Sequence, residues 1–161
     1  MSMLIGFTGP PGCGKDTAAD HLVKAHGFVR VAFADTIRQV ALTIDPYVHF
    51  FRLSDVIDLI GWDRAKRQPE VRRLLQVIGT EAGRDIHGAD VWVDRTFDAI
   101  SALAHDQSVV ITDVRFENEA RRQCSQRDGT RRGTLIIICR EITGEQPDGC
   151  TEVWEQICAI Q

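Results

Sequence analysis

The chain has 161 residues, 43% apolar and 26% charged, which is ordinary for one soluble domain large enough to bury a core. A formal charge of -4 at pH 7 argues against a basic surface for a nucleic acid polymer, and no apolar run approaches the roughly 20 residues that span a bilayer. The five cysteines (Cys13, Cys124, Cys139, Cys150, Cys158) form no CxxC pair, and Met1 to Thr8 lacks the features of an export signal, so reduced thiols and a cytoplasmic setting are expected.

The first expected strand is Met3 to Thr8, an apolar run that ends on a glycine-rich turn. A helix follows over about 14–25, with Ala18, Leu22 and Val23 inward and Gly27 closing it. Phe28 to Phe33 reads as a second strand, and Ala34-Asp35-Thr36 starts a helix that runs to Ile44. From Asp45 to Pro69 the pattern is broken by prolines and Gly61. Short helices are expected over Ser54–Leu59 and Glu70–Ile78, and a longer one over Val91–Ala104. Ser108 to Asp113 is apolar without alternation, the pattern of a strand buried on both faces of a parallel sheet. A helix over Phe116–Gln123, a polar loop over Arg121–Arg132, a strand over Thr134–Cys139 and a last helix over Glu152–Ile160 complete the pass. Strands separated by helices indicate one α/β domain, 1–161, with a mostly parallel sheet.

The strongest local signal is Gly9-Pro10-Pro11-Gly12-Cys13-Gly14-Lys15-Asp16-Thr17, with the glycine and lysine spacing of a Walker A loop between a strand and a helix. Glycines let the backbone close round an anion so that successive N–H groups point at phosphate oxygens. The helix start adds its positive dipole end, and Lys15 adds a mobile cation where charge builds during phosphoryl transfer. Gly12, Cys13, Gly14, Lys15, Asp16 and Thr17 are therefore the candidate nucleotide-binding residues. Asp16 stands where a Ser or Thr usually meets Mg²⁺. Its carboxylate is either a metal ligand, direct or through water, or a helix-start residue that complements the dipole. Thr17 offers a hydroxyl to a phosphate or to the metal.

This loop is similar to those of the nucleoside monophosphate kinases, and its Lys15-Asp16-Thr17 ending resembles the deoxynucleoside monophosphate kinases of bacteriophages. Three later blocks carry the same resemblance: Arg72 to Glu81 with Arg84, then Asp90-Val91-Trp92-Val93, then Ile111 to Phe116 with Asn118-Glu119-Ala120. The resemblance covers about residues 3–140. It implies a P-loop fold of three α/β/α layers around a five-stranded parallel sheet, with an acceptor-binding helical region over about 35–90 and a lid over about 115–133. It also implies ATP as phosphoryl donor, Mg²⁺ as cofactor and a deoxynucleoside monophosphate as acceptor. Beyond Arg140 the expected closing strand and helix are not recognisable.

Asp113 ends an apolar strand at the edge where α/β proteins bind ligands, with Arg115 two residues on. The functional reading makes Asp113 a ligand of Mg²⁺, water or substrate and sets Arg115 on a phosphate; the plainer one is an ion pair capping the next helix. Within the resemblance, Arg38 falls where an arginine meets the acceptor phosphate, through the planar fork that suits phosphate. Arg72 and Arg84 are further candidates for that phosphate, and Gln76 for the base edge. Trp62 either stacks on the acceptor or packs a helix; Trp92 reads as core, and Arg73 as solvent-facing. At least one of Arg121, Arg122, Arg127, Arg131 and Arg132 is expected at the transferred phosphoryl. Lys15, Asp16 and Arg115 are the expected catalytic residues, and Asp16, Thr17 and Asp113 the expected metal ligands. The partners are small nucleotides, with neither a nucleic acid polymer nor a membrane, and a homodimer is allowed. Two other functions stay open: a P-loop kinase for another small molecule, and a nucleotide-binding module without catalysis.

Overall fold

A computed structural model describes residues 2–125 and 131–138 of the chain. The elements run β1 (Ser2–Thr8), α1 (Lys15–His26), β2 (Val29–Val31), α2 (Phe33–Ile44), β3 (Tyr47–Val48), β4 (Phe51–Arg52), α3 (Leu53–Ala65) and α4 (Pro69–Gln76). A π-helical segment (Val77–Arg84) follows, then α5 (Asp85–His87), α6 (Val91–Ser101), β5 (Val109–Ile111), α7 (Glu117–Cys124) and β6 (Arg131–Ile137). Two compact units result: the described residues up to Phe33 and from Thr96 onward, and the residues Ala34–Arg95.

The first unit carries a parallel sheet in the order β2-β5-β1-β6. Its central strands are continuous apolar runs because both faces are covered: Val109, Val110 and Ile111 are fully buried, and Leu4, Ile5 and Phe7 nearly so. Ile5, Phe7 and Val110 pack with Ala19 of α1 and with Phe28, each large side chain contributing about 1.5–3 kcal/mol by leaving water. Gly6 lies between Ile5 and Phe7 and so faces the opposite side, where a Cβ would strike the Gln123 side chain of α7. Helices therefore cover both faces of this α/β sheet. Gly27 ends α1 at φ 67°, its N–H reaching the Leu22 and Val23 carbonyls, as a glycine stop signal predicts.

Three expectations shift. The second strand keeps only Val29–Val31, because α2 already begins at Phe33. The last strand begins at Arg131, three residues before the expected start. The stretch Arg121–Arg132 starts inside α7 and ends inside β6, and does not read as one loop. The helix expected over Phe116–Gln123 is α7, displaced by one residue, and its buried side includes Glu119 and Gln123 as well as Ala120. Residues 126–130 and 139–161, including Arg127, the expected last helix and any fifth strand, lie outside the described residues.

The second unit packs Ala41, Val48, Leu53, Ala65, Val71, Ile78 and Trp92 into its own core. An unforeseen hairpin pairs Tyr47 with Arg52 and Val48 with Phe51. Asp45 anchors it, accepting the Ser54 N–H at 2.8 Å and thereby capping α3. Helix α3 extends six residues past the expected Leu59 but is broken at Gly61, whose φ 71° and ψ 162° suit only glycine. A Cβ there would meet nothing within 4 Å, so Gly61→Ala isolates the backbone strain. It is expected to destabilise by about 1–3 kcal/mol in chemical denaturation; unchanged stability would show that the break has another cause.

No helix among the described residues is long and apolar enough to cross a membrane.

Candidate functional site

The glycine-rich loop leaves β1 and enters α1 with Gly9, Gly12 and Gly14 all at positive φ (140°, 78° and 102°). Gly9 is also needed for space, since a Cβ would come 2.2 Å from the Ile138 carbonyl oxygen. At Gly12 and Gly14 a Cβ would meet nothing within 4 Å, so these glycines serve the loop's backbone conformation rather than space. Gly14 gives α1 no side-chain cap, leaving the first N–H groups of the helix directed at whatever enters the loop. Lys15 folds back over this concavity: its Nζ donates to the carbonyls of Gly9 at 2.6 Å and Pro10 at 2.7 Å, 3.5 Å from Cys13 Sγ. A cation and helix N–H groups thus converge on one small space, an arrangement that can hold an anion.

Asp16 and Thr17 follow on the exposed side of α1. The Asp16 carboxylate accepts from Arg30 at 2.7 Å, with its side chain 75% exposed. Thr17 borders an open depression of about 720 Å³ beside the loop, with Cys13, His21, Leu22 and Ile136.

Because β1 and β5 are parallel neighbours, with Gly6 opposite Ile111, the loops that follow them leave the same sheet edge. The second loop is tied to the sheet by the Thr112 N–H on the Val31 carbonyl and the Val114 N–H on the Phe7 carbonyl, both 3.2 Å. Asp113 accepts the Phe33 N–H at 2.8 Å, so its carboxylate caps α2, 80 residues away in sequence. A second carboxylate caps the next helix, α7. The residue that does so is Glu119, 2% exposed, whose Oε2 takes the N–H groups of Arg115 (2.8 Å) and Phe116 (3.1 Å). Sequence reasoning missed it, although a glutamate three residues past a helix start is a known capping signal. Arg115 is exposed, and its guanidinium makes no hydrogen bond or ion pair among the described residues. Of the other arginines expected here, Arg121 pairs with Glu117 and Arg122 stacks over Phe97 at 5.5 Å.

The remaining expected residues belong to the other unit. Arg38 is held by Asp35 at 2.9 Å and lies 5.7 Å over the Trp62 ring. Both border a cleft of about 420 Å³ with Gln39, Leu42 and Thr43. Trp62 therefore does two things, packing partly on the core and walling this cleft. Nearby, the hydrogen bond from Lys66 holds Asp63 below the usual carboxylate range, helped by the charges of Lys66, Arg38 and Arg67. Arg72 and Gln76 are exposed on α4, and Arg84 is half-buried at the end of the π-helical segment. Arg73 is engaged by both carboxylate oxygens of Glu81, which holds Glu81 below its ordinary value. The stabilisation from that pair is complete above the unfolded glutamate value and is lost as pH falls through the lowered one.

Among the described residues no three His, Cys, Asp or Glu side chains cluster as a metal cage. Mg²⁺ does not need one, since it is usually held by one or two protein oxygens together with phosphate and water. The Thr17 hydroxyl and the Asp113 carboxylate suit that chemistry, whereas the Asp16 carboxylate is engaged by a guanidinium.

An α/β chain with a parallel sheet and a lysine-bearing glycine loop at the strand ends is compatible with a nucleotide kinase. No protein-family model matches the chain. It is similar to a protein of Acanthamoeba polyphaga mimivirus named "Putative deoxynucleotide monophosphate kinase", with 32% identity over a 139-residue alignment that covers 73% of this chain. The match spans 66% of that protein's length, just under two thirds.

Proposed function

We propose that this protein transfers the γ-phosphoryl group of MgATP to the 5′-phosphate of a deoxynucleoside monophosphate. The observation that carries the reading is the Lys15 ammonium, centred on the glycine loop at the open start of α1. The similarity to the mimivirus protein supports the acceptor class.

An oxygen of the acceptor phosphate forms the new bond to the γ-phosphorus. The bond from that phosphorus to the bridging oxygen breaks, and its electron pair leaves on ADP. The acceptor is already an anionic nucleophile, so no covalent enzyme intermediate is required. The protein's task is alignment and charge neutralisation. The backbone of Gly12, Cys13 and Gly14 holds the donor phosphates, and Lys15 exchanges its carbonyl partners for their oxygens. Thr17 and Asp113 would hold Mg²⁺, which when bound offsets phosphate charge. Asp16 is assigned to the helix start, its carboxylate being paired with Arg30. On the acceptor side, Arg38 and at least one of Arg72 and Arg84 grip the phosphate, and Gln76 meets the base.

Arg115, exposed and held among the described residues through its backbone N–H, is assigned to the transferred phosphoryl. Arg115→Ala is expected to lower kcat by about 10²–10³-fold, as loss of a donor to developing charge does, with circular dichroism unchanged. Wild-type-like kcat would remove Arg115 from the mechanism.

The reading is tested by coupled ADP release from MgATP with dAMP, dGMP, dCMP, dTMP and the four ribonucleotides, against a control without acceptor. Release that depends on a deoxynucleotide is expected. Release independent of acceptor would contradict it, as would ATP binding without release; the latter would favour a binding module.

A further inference from the structure

Residues 77–84 form a π-helical segment, which is rare at this length and whose i→i+5 bonds widen the turn. In an α-helix of about 3.6 residues per turn, each step of four overshoots a full turn, so positions 72, 76, 80 and 84 would spiral steadily round the axis. The wider turn makes steps of four fall short instead, and the two drifts offset. Exposure fits this geometry: Arg72, Gln76 and Thr80 are exposed and Arg84 is half-buried. Ile78, Gly79 and Gly83 are buried on the other side.

The wide turn is held from that buried side by Trp92. Its indole Nε1 donates to the Gly79 carbonyl at 2.7 Å, in a buried hydrogen bond. Gly83 lies flat against the same ring, where a Cβ would come 2.6 Å from Cζ2. On the exposed side the two-oxygen pairing of Arg73 with Glu81 ties α4 to the π-helical segment. The indole N–H is thus more than packing, because it fixes a carbonyl inside the rare turn.

We infer that Trp92 is a positioning residue for acceptor recognition, its indole holding the wide turn that keeps Arg72, Gln76, Thr80 and Arg84 in one row. The row presents cations for an anionic group beside an amide and a hydroxyl for a hydrogen-bonding edge, which matches a nucleoside monophosphate. This inference rests on the function proposed above.

The test compares wild type with Trp92→Phe, which keeps a ring against Gly83 but removes the N–H. Initial rates are measured against MgATP and against each of dAMP, dGMP, dCMP and dTMP. Losing one buried hydrogen bond that fixes the row is expected to raise the acceptor KM about tenfold, with the ATP KM within about threefold. Equal changes in both KM values that track a lower Tm would make Trp92 purely structural and overturn the inference, as would an unchanged acceptor KM. Glu81→Gln, on the exposed side, decides the matter if Trp92→Phe does not fold. A selective rise in acceptor KM supports the inference and an unchanged one overturns it. If wild type phosphorylates none of the four, the proposed function fails, and the inference with it. Activity in wild type with no selective effect in either variant overturns the inference alone.

Discussion

Lys15→Ala is expected to abolish transfer, with kcat/KM down by about 10³-fold or more, while the fold persists. Both halves follow from where the side chain sits. Its ammonium hydrogen-bonds the Gly9 and Pro10 carbonyls and Cys13 Sγ, and Lys15 is not one of the buried core residues. Secondary structure by circular dichroism should match wild type. For phosphoryl transfer, however, this is the cation at the centre of the anion cradle, and charge there is largest in the transition state. A factor of 10³ corresponds to about 4 kcal/mol of lost transition-state stabilisation. Lys15→Arg should not rescue, because a planar fork cannot replace a compact ammonium between two converging carbonyls. Turnover near wild type in Lys15→Ala would end the mechanism proposed for this loop.

The largest expected effect on stability is at Gly133. It pairs with Leu4 in the β1–β6 register, and a Cβ there would lie 1.9 Å from the Gln123 backbone carbonyl oxygen. Gln123 is fully buried, and its Nε2 donates to the Thr134 carbonyl at 2.7 Å. Relief of the clash therefore requires α7 or β6 to move as a whole, since the obstructing atom is main chain. Gly133→Ala is expected to cost about 1–3 kcal/mol or more, as overpacking does. For a chain of this size that lowers Tm by about 2–12 °C. A Tm within a degree of wild type would mean that α7 does not rest on the sheet this closely.

What the sequence revealed and concealed has a common cause. β1 and β5 were readable because strands covered on both faces must be apolar at every position, as Leu4–Phe7 and Val109–Ile111 largely are. The glycine loop was readable because its geometry depends on adjacent residues, with three glycines at positive φ. Long-range partners were hidden. The acceptor of the Phe33 N–H lies 80 residues on at Asp113. The wide turn after Gln76 is held by Trp92, 13 residues beyond Gly79, so periodicity alone suggested an ordinary helix. The Tyr47–Arg52 hairpin has none of the Asn-Gly or Asp-Gly signals that mark such turns. Its turn residue His49, at φ 55°, is held through its N–H by Glu70 at 3.0 Å. Of the expected site residues, those on the two loops at one sheet edge were legible as a group. The arginines proposed for the acceptor were singled out only through family resemblance, because helical arginines look alike in sequence.

The most direct measurement is ³¹P NMR of the chain incubated with MgATP and an equimolar mixture of dAMP, dGMP, dCMP and dTMP. The account predicts resonances of at least one deoxynucleoside diphosphate, growing in step with ADP and without inorganic phosphate. ADP appearing together with inorganic phosphate, or no ADP formed at all, would contradict it.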